Sequence, residues 1–229
     1  MTDTSTPHEE LATYIREQLV CAFFDYDDVR ESVLFHAEDE TDIPADQATA
    51  LLDSMWDQRV VEQQSWADTG DFGRLERLFA QLESEGILGR MSFMCCNNCA
   101  FSAIDEERTP TDNANDPYPY REWAYVYFHD QDAERLGEPD PVLFLAYSAW
   151  TPHRQLPKDL IDAASRGDEA ARREAVAQSE VLLGQQIVAA ATNCGLTAQW
   201  SGSRHERIAL QLRDWRKPLA PRPSEGLWI

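Results

Sequence analysis

Three cysteines stand within five residues, Cys95-Cys96-Asn97-Asn98-Cys99. Thiolates are strong zinc ligands, and a Cys-x-x-Cys pair on a tight turn aims two sulfurs at one point. A second such pair would complete a tetrahedral set, but the chain has none. The remaining ligands must come from Cys95 or from His129, which Asp130 and Asp132 follow closely. Cys96, Cys99 and His129, with Cys95 or Asp132 as fourth ligand, therefore make one expected zinc site. Two other readings of the thiols stay open. A redox pair needs a helix N-terminus to depress a thiol pKa, and Ala100 to Ile104 reads as a strand, so that activation is expected to be missing. Alternatively the thiols are small buried groups. His129 is either a hydrogen-bonded histidine at a strand end or, with Asp132, an acid–base group.

The elements that must position these residues follow from periodicity. Thr6-Pro7-His8-Glu9 is a capping box with proline at the first helical position. Leu11, Ile15 and Leu19 then fall on one helix face. Further helices are expected over Asp28 to Glu38, from Pro44 through Val60, and around Leu75, Leu78, Phe79 and Leu82, with Gly86 as a stop. The acidic runs 25–28 and 38–42 lack the spacing of a calcium loop and read as solvated linkers. After Gly89 the period becomes that of strands. Met91 to Cys95 and Ala100 to Ile104 are expected to form a hairpin around Asn97-Asn98. The polar stretch 105–121 is too long for an ordinary connection and reads as a lid, binding loop or disordered insert. Trp123 to His129 and Val142 to Tyr147 are strands, the second apolar enough to be central. A helical segment from Lys158 to Cys194 has Val181, Leu182, Ile187, Val188 and Ala191 as its expected buried stripe. A last hairpin carries Leu196, Ala198 and Trp200, then Ile208, Leu210 and Leu212. If 123–129 returns antiparallel beside 100–104, His129 lands at the cysteine end of the sheet. Cys21 and Cys194 lie on apolar helix stripes and read as core.

Charge narrows the function classes. The 229 residues carry 41 acidic against 20 basic side chains, a net charge of −21. Such a surface disfavours nucleic acid and anionic membranes, and no apolar run is long enough to span a bilayer. One basic stretch, Arg204, Arg207, Arg213, Arg216 and Lys217, is either an anion or acidic-peptide contact or a set of bridges to the protein's own acidic half, residues 1–90. Bridging is preferred. An odd number of cysteines, five in all, excludes complete internal pairing, so a reducing cytoplasm is the simpler home. Glycine-rich phosphate loops, Gly-x-Ser-x-Gly and His-Glu-x-x-His are absent from the sequence.

At these residues the sequence resembles a bacterial family of unknown function, family 6891. Cys95, Cys96 and Cys99 match its cysteine block. Tyr127, Phe128, His129, Gln131 and Asp132 match a Tyr-x-Phe-His-x-Gln-Asp block. Leu145, Ala146 and Tyr147 match an apolar strand, and Trp200, Arg207 and Ile208 fit a closing hairpin. The similarity covers roughly residues 70–216 and departs at Ala100 and Ser148, where the pattern has glycine, and in the 105–121 insert. It implies no activity, but it does imply that the cysteine block and His-x-Gln-Asp belong to one unit.

The expected fold is α+β. A helical layer, 1–89, precedes a mainly antiparallel β-β-β-β-α-β-β sheet domain, 90–217, with a helix packed on one face; a proline-rich tail, 218–229, follows. The expected role is a non-catalytic module for a protein partner, with a cysteine corner able to bind zinc. The competing expectation is a metal- or thiol-dependent hydrolytic or redox enzyme using His129 and Asp132 beside Cys96 and Cys99.

Overall fold

The computed structural model describes residues 6–113 and 116–222. The Leu-Trp-Ile end of the tail lies outside them. The chain divides into two compact units, the first holding residues up to 73, 134–141 and the segment from 213 onward. Residues 74–133 and 142–212 make the second.

The first unit is helical. Helix α1 (Pro7–Cys21) starts as the sequence predicts, with reciprocal capping between Thr6 and Glu9. Helix α2 (Tyr26–His36) starts earlier than its apolar pattern implies. The Asp25 carboxylate accepts the Asp28 N–H. The first acidic run is thus a helix cap and first turn, where carboxylates meet unpaired N–H groups, and not a linker. The second acidic run forms a π-helical turn, Ala37–Thr41. Helix α3 (Ala45–Gln63) buries Ala48, Leu52 and Trp56. These pack with Leu11, Ile15, Leu19, Val29 and Val33, and Leu219 of the tail joins the same cluster. Arg222 pairs with Asp53 and Asp57, so the described part of the tail is docked.

Helix α4 (Gly70–Ser84) enters the second unit at Arg74 and carries the buried Leu75, Leu78, Phe79 and Leu82. The strands are β1 (Ile87–Arg90), β2 (Ala124–Tyr127), β3 (Val142–Ala149), β4 (Thr197–Gln199) and β5 (Ile208–Gln211), in the order β1-β2-β3-β5-β4. The sheet is mixed. Strands β1 and β2 run parallel, Ile87 opposite Ala124, and the other neighbours are antiparallel. The mainly antiparallel β-β-β-β-α-β-β order is therefore corrected.

Parallel neighbours need a long crossover, usually helical. That crossover holds helix α5 (Asn97–Ala103) and a 3-10 turn, Ile104–Glu107, where the sequence predicts a hairpin. The spacing of Ala100 and Ile104 fits either period, and a short apolar run cannot decide between them. Both residues pack on Leu88, Tyr125 and Tyr127, covering one face of the sheet. The 105–121 insert is largely ordered. Pro110 bridges Tyr120, and Arg108 lies over the rings of Tyr118, Tyr120 and Trp150.

The other face meets helix α8 (Glu169–Asn193), which contacts β3 and β4 and follows the short helix α7 (Lys158–Ser165). The buried stripe of α8 is Ala175, Ser179, Leu183, Ile187 and Ala190/Ala191, joined by Gly184. Val181, Leu182 and Val188 of the expected stripe are only partly buried.

Candidate functional site

After β1 the chain bends through two left-handed residues, Ser92 (φ 48°) and Met94 (φ 60°). Such conformations are costly and persist where neighbours over-determine them. Here Phe93 N–H donates to the Phe128 carbonyl (2.9 Å), and Asp130 N–H to the Met94 carbonyl (3.0 Å). Ser92 Oγ also donates to Asp130 Oδ1 (2.6 Å). Segment 92–94 is thereby strapped to 128–130. The cysteine block and His-x-Gln-Asp are close neighbours, as the resemblance implies.

Cys96 is the N-cap of α5, and Cys99 is its third helical residue. The sulfurs of Cys95, Cys96 and Cys99 all lie within 4.8 Å of one another. Zinc–sulfur bonds of about 2.3 Å in a tetrahedron place sulfurs about 3.8 Å apart, so a small closure would seat an ion. Cys95 and Cys99 are exposed and Cys96 is half-buried, which is not the packing of core thiols. The backbone N–H of Cys99, helped by the thiols of Cys99 and Cys95, holds Cys96 below the usual thiol range. Hydrogen bonding with Cys95 and Cys96 pushes Cys99 up to about 11. The helix-start activation that a strand at 100–104 excludes is therefore present. Cys21, by contrast, is buried, and burial raises it to about 11, as a core thiol requires.

His129 lies two residues beyond the end of β2, and its carbonyl accepts from Asp132 and Ala133 at the start of the short helix α6 (Asp130–Glu134). It is buried, with Nε2 3.1 Å from Asp132 Oδ2. The same carboxylate oxygen lies 2.8 Å from Arg207 Nη1 and 3.5 Å from the His129 N–H. The group of atoms placed to share one metal ion holds the three sulfurs, and neither His129 nor Asp132 belongs to it. The imidazole is engaged instead in a His–Asp–Arg cluster.

That cluster borders a cleft of about 520 Å³ on the second unit. Tyr125, Tyr127, Ala146 and Ser148 line its sheet side, since the register puts Tyr125 opposite Ser148 and Tyr127 opposite Ala146. Pairing of β5 with β3 ends at Leu145–Ile208, so β3 runs on without that neighbour, and residues 204–207 form a wall there. Asn97 and Phe101, one turn apart on α5, form another, and Tyr127 Oη donates to Asn97 Oδ1 (3.0 Å). Arg204 pairs with Glu180 (2.6 Å), whose other oxygen accepts from Ser148 Oγ (2.7 Å). Arg216 pairs with Asp68 and Asp214. Bridging to the acidic half, residues 1–90, thus holds for Arg216 through Asp68, whereas Arg204 and Arg207 pair with acids of the other half. Sequence reasoning did not assign Tyr125, Asn97 or Glu180 to a site. Arg207 carried a signal in the resemblance, but its partner needs the fold.

A family model described as Domain of unknown function (DUF6891) matches residues 4–219. The chain belongs to this family. No curated protein and no solved structure matches it. The match spans both units, with the cysteine corner and the cleft in the second. Among the described residues no helix is long and apolar enough to cross a membrane.

Proposed function

We propose that this DUF6891 protein is a non-catalytic binding module that holds a zinc ion through Cys95, Cys96 and Cys99 and docks a protein partner over it. The observation that carries the reading is the convergence of three accessible sulfurs within 4.8 Å. A structural zinc site is closed by four protein ligands, whereas three leave one position open. Cys95 and Cys99 are exposed at the start of α5, so a ligand from a partner would have access to an ion held there. Met94 and Phe101 flank the sulfurs in sequence and are 43% and 66% exposed, apolar surface suited to a partner's side chains. His129 is the internal candidate for the fourth position, and its Nε2 faces Asp132 Oδ2 at 3.1 Å.

The test is cobalt or zinc titration of the reduced protein, read by thiolate-to-metal absorption and by metal analysis. One ion per chain is expected, lost in Cys96→Ser and Cys99→Ser with unchanged circular dichroism and retained in His129→Ala. No uptake at micromolar free zinc would overturn the reading, and loss of the ion in His129→Ala would move the imidazole into the ligand set.

A second reading, a thiol redox enzyme, is favoured by one observation, the stabilised Cys96 thiolate beside a protonated Cys99. Attack by the Cys96 thiolate would break the disulfide of a substrate, forming a mixed disulfide and releasing one thiol. The Cys99 thiolate would then attack the Cys96 sulfur, releasing the second thiol and leaving a Cys96–Cys99 disulfide that an added dithiol reductant must reduce for turnover. Turnover of a disulfide substrate by the metal-free protein would establish it.

A further inference from the structure

We propose that the cleft of the second unit binds a small oxyanion ligand, a carboxylate or phosphate carried on a flat apolar body, with Arg207 as its anchor. The inference does not rest on metal at the cysteines, although Phe101 borders both surfaces. It begins from how the charges of the cleft are used. Asp132 is 2% exposed and sits behind the guanidinium of Arg207, taking Nη1 alone. The guanidinium carbon also lies 5.0 Å from the centroid of the Phe144 ring, a cation–π contact that further holds the group. Its Nε and Nη2, which form a two-donor edge, have no protein partner among the described residues. An arginine held from behind in this way is pre-organised for a bidentate acceptor, and carboxylate and phosphate are the groups that match that edge.

The rest of the lining points the same way. Glu180 spends both oxygens, one on Ser148 and one on Arg204. Arg204 likewise gives only Nη1 to that pair, and the His205 ring lines the cleft beside it. Asp132 and Glu180 therefore hold donors in place; the exposed Glu206 also borders the cleft, so the acceptor-rich partner is expected at the two-donor edge of Arg207 and not across the whole lining. A protein of net charge −21 repels anions in general, so an anion site must be built from local donors such as these. The exposed ring of Phe101 at the rim offers a face for a flat body. The volume, about 520 Å³, falls in the range of small-ligand clefts.

The experiment is titration of the full-length protein with benzoate, phenyl phosphate and benzyl alcohol, followed by nuclear magnetic resonance. Saturable shifts at Tyr127, Arg204 and Arg207 are expected with an anion and not with the alcohol. Arg207→Lys, which keeps a cation for Asp132 but loses the two-donor edge, should weaken binding by about tenfold or more. Benzoate outbinding phenyl phosphate would identify a carboxylate ligand, and the reverse a phosphate; either supports the site. Should Arg207→Lys fail to fold, the Arg207 Nε–H resonance of the wild-type protein decides instead, since a bound anion must move it. No saturable shift, equal binding of benzyl alcohol, or an Arg207 Nε–H that stays in place would overturn the proposal. None of these outcomes bears on metal binding at the cysteines.

Discussion

Asp132 Oδ2 lies 2.8 Å from Nη1 of Arg207, a residue 75 positions further along the chain. The pair is asymmetric, because the carboxylate side chain is 3% exposed and the arginine side chain 36%. A buried carboxylate needs its partner far more than a half-exposed guanidinium does, since water can solvate only the latter. The same oxygen also faces His129 Nε2, so one acid links the end of β2 to the start of β5.

Replacing Asp132 with alanine should destabilise the second unit by only about 1–3 kcal/mol, less than the roughly 3–5 kcal/mol for stranding a buried charge, because the Arg207 left behind is partly solvated. Arg207→Ala leaves the carboxylate buried with His129 as its remaining charged-capable partner and should cost more, about 3–5 kcal/mol. Urea denaturation of both variants and the double variant measures the coupling. Additive effects would show that the pair contributes nothing jointly.

The five thiols should react in a definite order. Cys96 is lowered by the Cys99 N–H at the start of α5, whereas Cys21 is buried and raised to about 11. At neutral pH, iodoacetamide should modify Cys96 first in the metal-free native protein and leave Cys21 until unfolding. Mass mapping of partially alkylated protein checks this. First modification at Cys99, which is pushed up to about 11, would contradict the assignment of the thiolate.

Gly184 tests the packing that supports the cleft from behind. Alanine is the better helix former by about 1 kcal/mol. A Cβ at Gly184, however, would meet the Trp200 ring at 2.6 Å and Tyr147 Oη at 3.0 Å. Overpacking of this kind costs about 1–3 kcal/mol, so Gly184→Ala should lower stability despite its propensity. A raised thermal midpoint would mean that Trp200 swings away freely.

How much of this was legible depends on how local each cause is. The Thr6–Glu9 box, the apolar run in β3 and the alternation Ile208, Leu210, Leu212 are set by neighbours in sequence, and all three appear where expected. The 97–103 segment was misread because Ala100 and Ile104 suit both periods. Only the parallel pairing of β1 with β2, a long-range fact, demands the helical crossover. On α8 the buried stripe is built largely from small residues, Ala175, Ser179, Gly184 and Ala190, which a hydrophobic pattern does not register. The cysteine cluster was visible because its sulfurs are within one turn. The ties of Arg207 to Asp132 and of Ser92 to Asp130 follow from the fold alone.

His153 gives a pH dependence. It is buried, its Nδ1 accepts the Gln155 N–H (3.1 Å), and its Nε2 faces Gln186 Oε1 (3.4 Å), which fits the neutral ring protonated on Nε2. Burial lowers its pKa below 6.5; Gln186 opposes this and Arg154 adds to it, with Glu85 lining the same pocket. Because the folded value is depressed, its stabilising contribution is present above about pH 6.5, the unfolded value. It is lost as pH falls through the folded one. The urea midpoint of the wild-type protein should thus fall more steeply on acidification below neutrality than that of His153→Gln. Parallel curves would remove His153 as the cause.

Metal removal should separate a site that supports the fold from one that is mounted on it. Helix α5 is anchored without any ion, because Ala100 and Ile104 are buried against Tyr125 and Tyr127, and Tyr127 Oη holds Asn97. The strap from Ser92 and Met94 to Asp130 fixes the approach to the helix as well. In small domains where zinc organises the fold, chelation unfolds the chain. Here a chelator should strip the ion and leave the circular dichroism spectrum unchanged, with the thermal midpoint falling by no more than a few degrees. The change should be confined to the resonances of 94–99 and to the exposed surface around Phe101, where a partner is proposed to dock. Cooperative unfolding of the second unit on chelation would show instead that the three thiolates close a structural site, and a fourth ligand from within the chain would then have to be found.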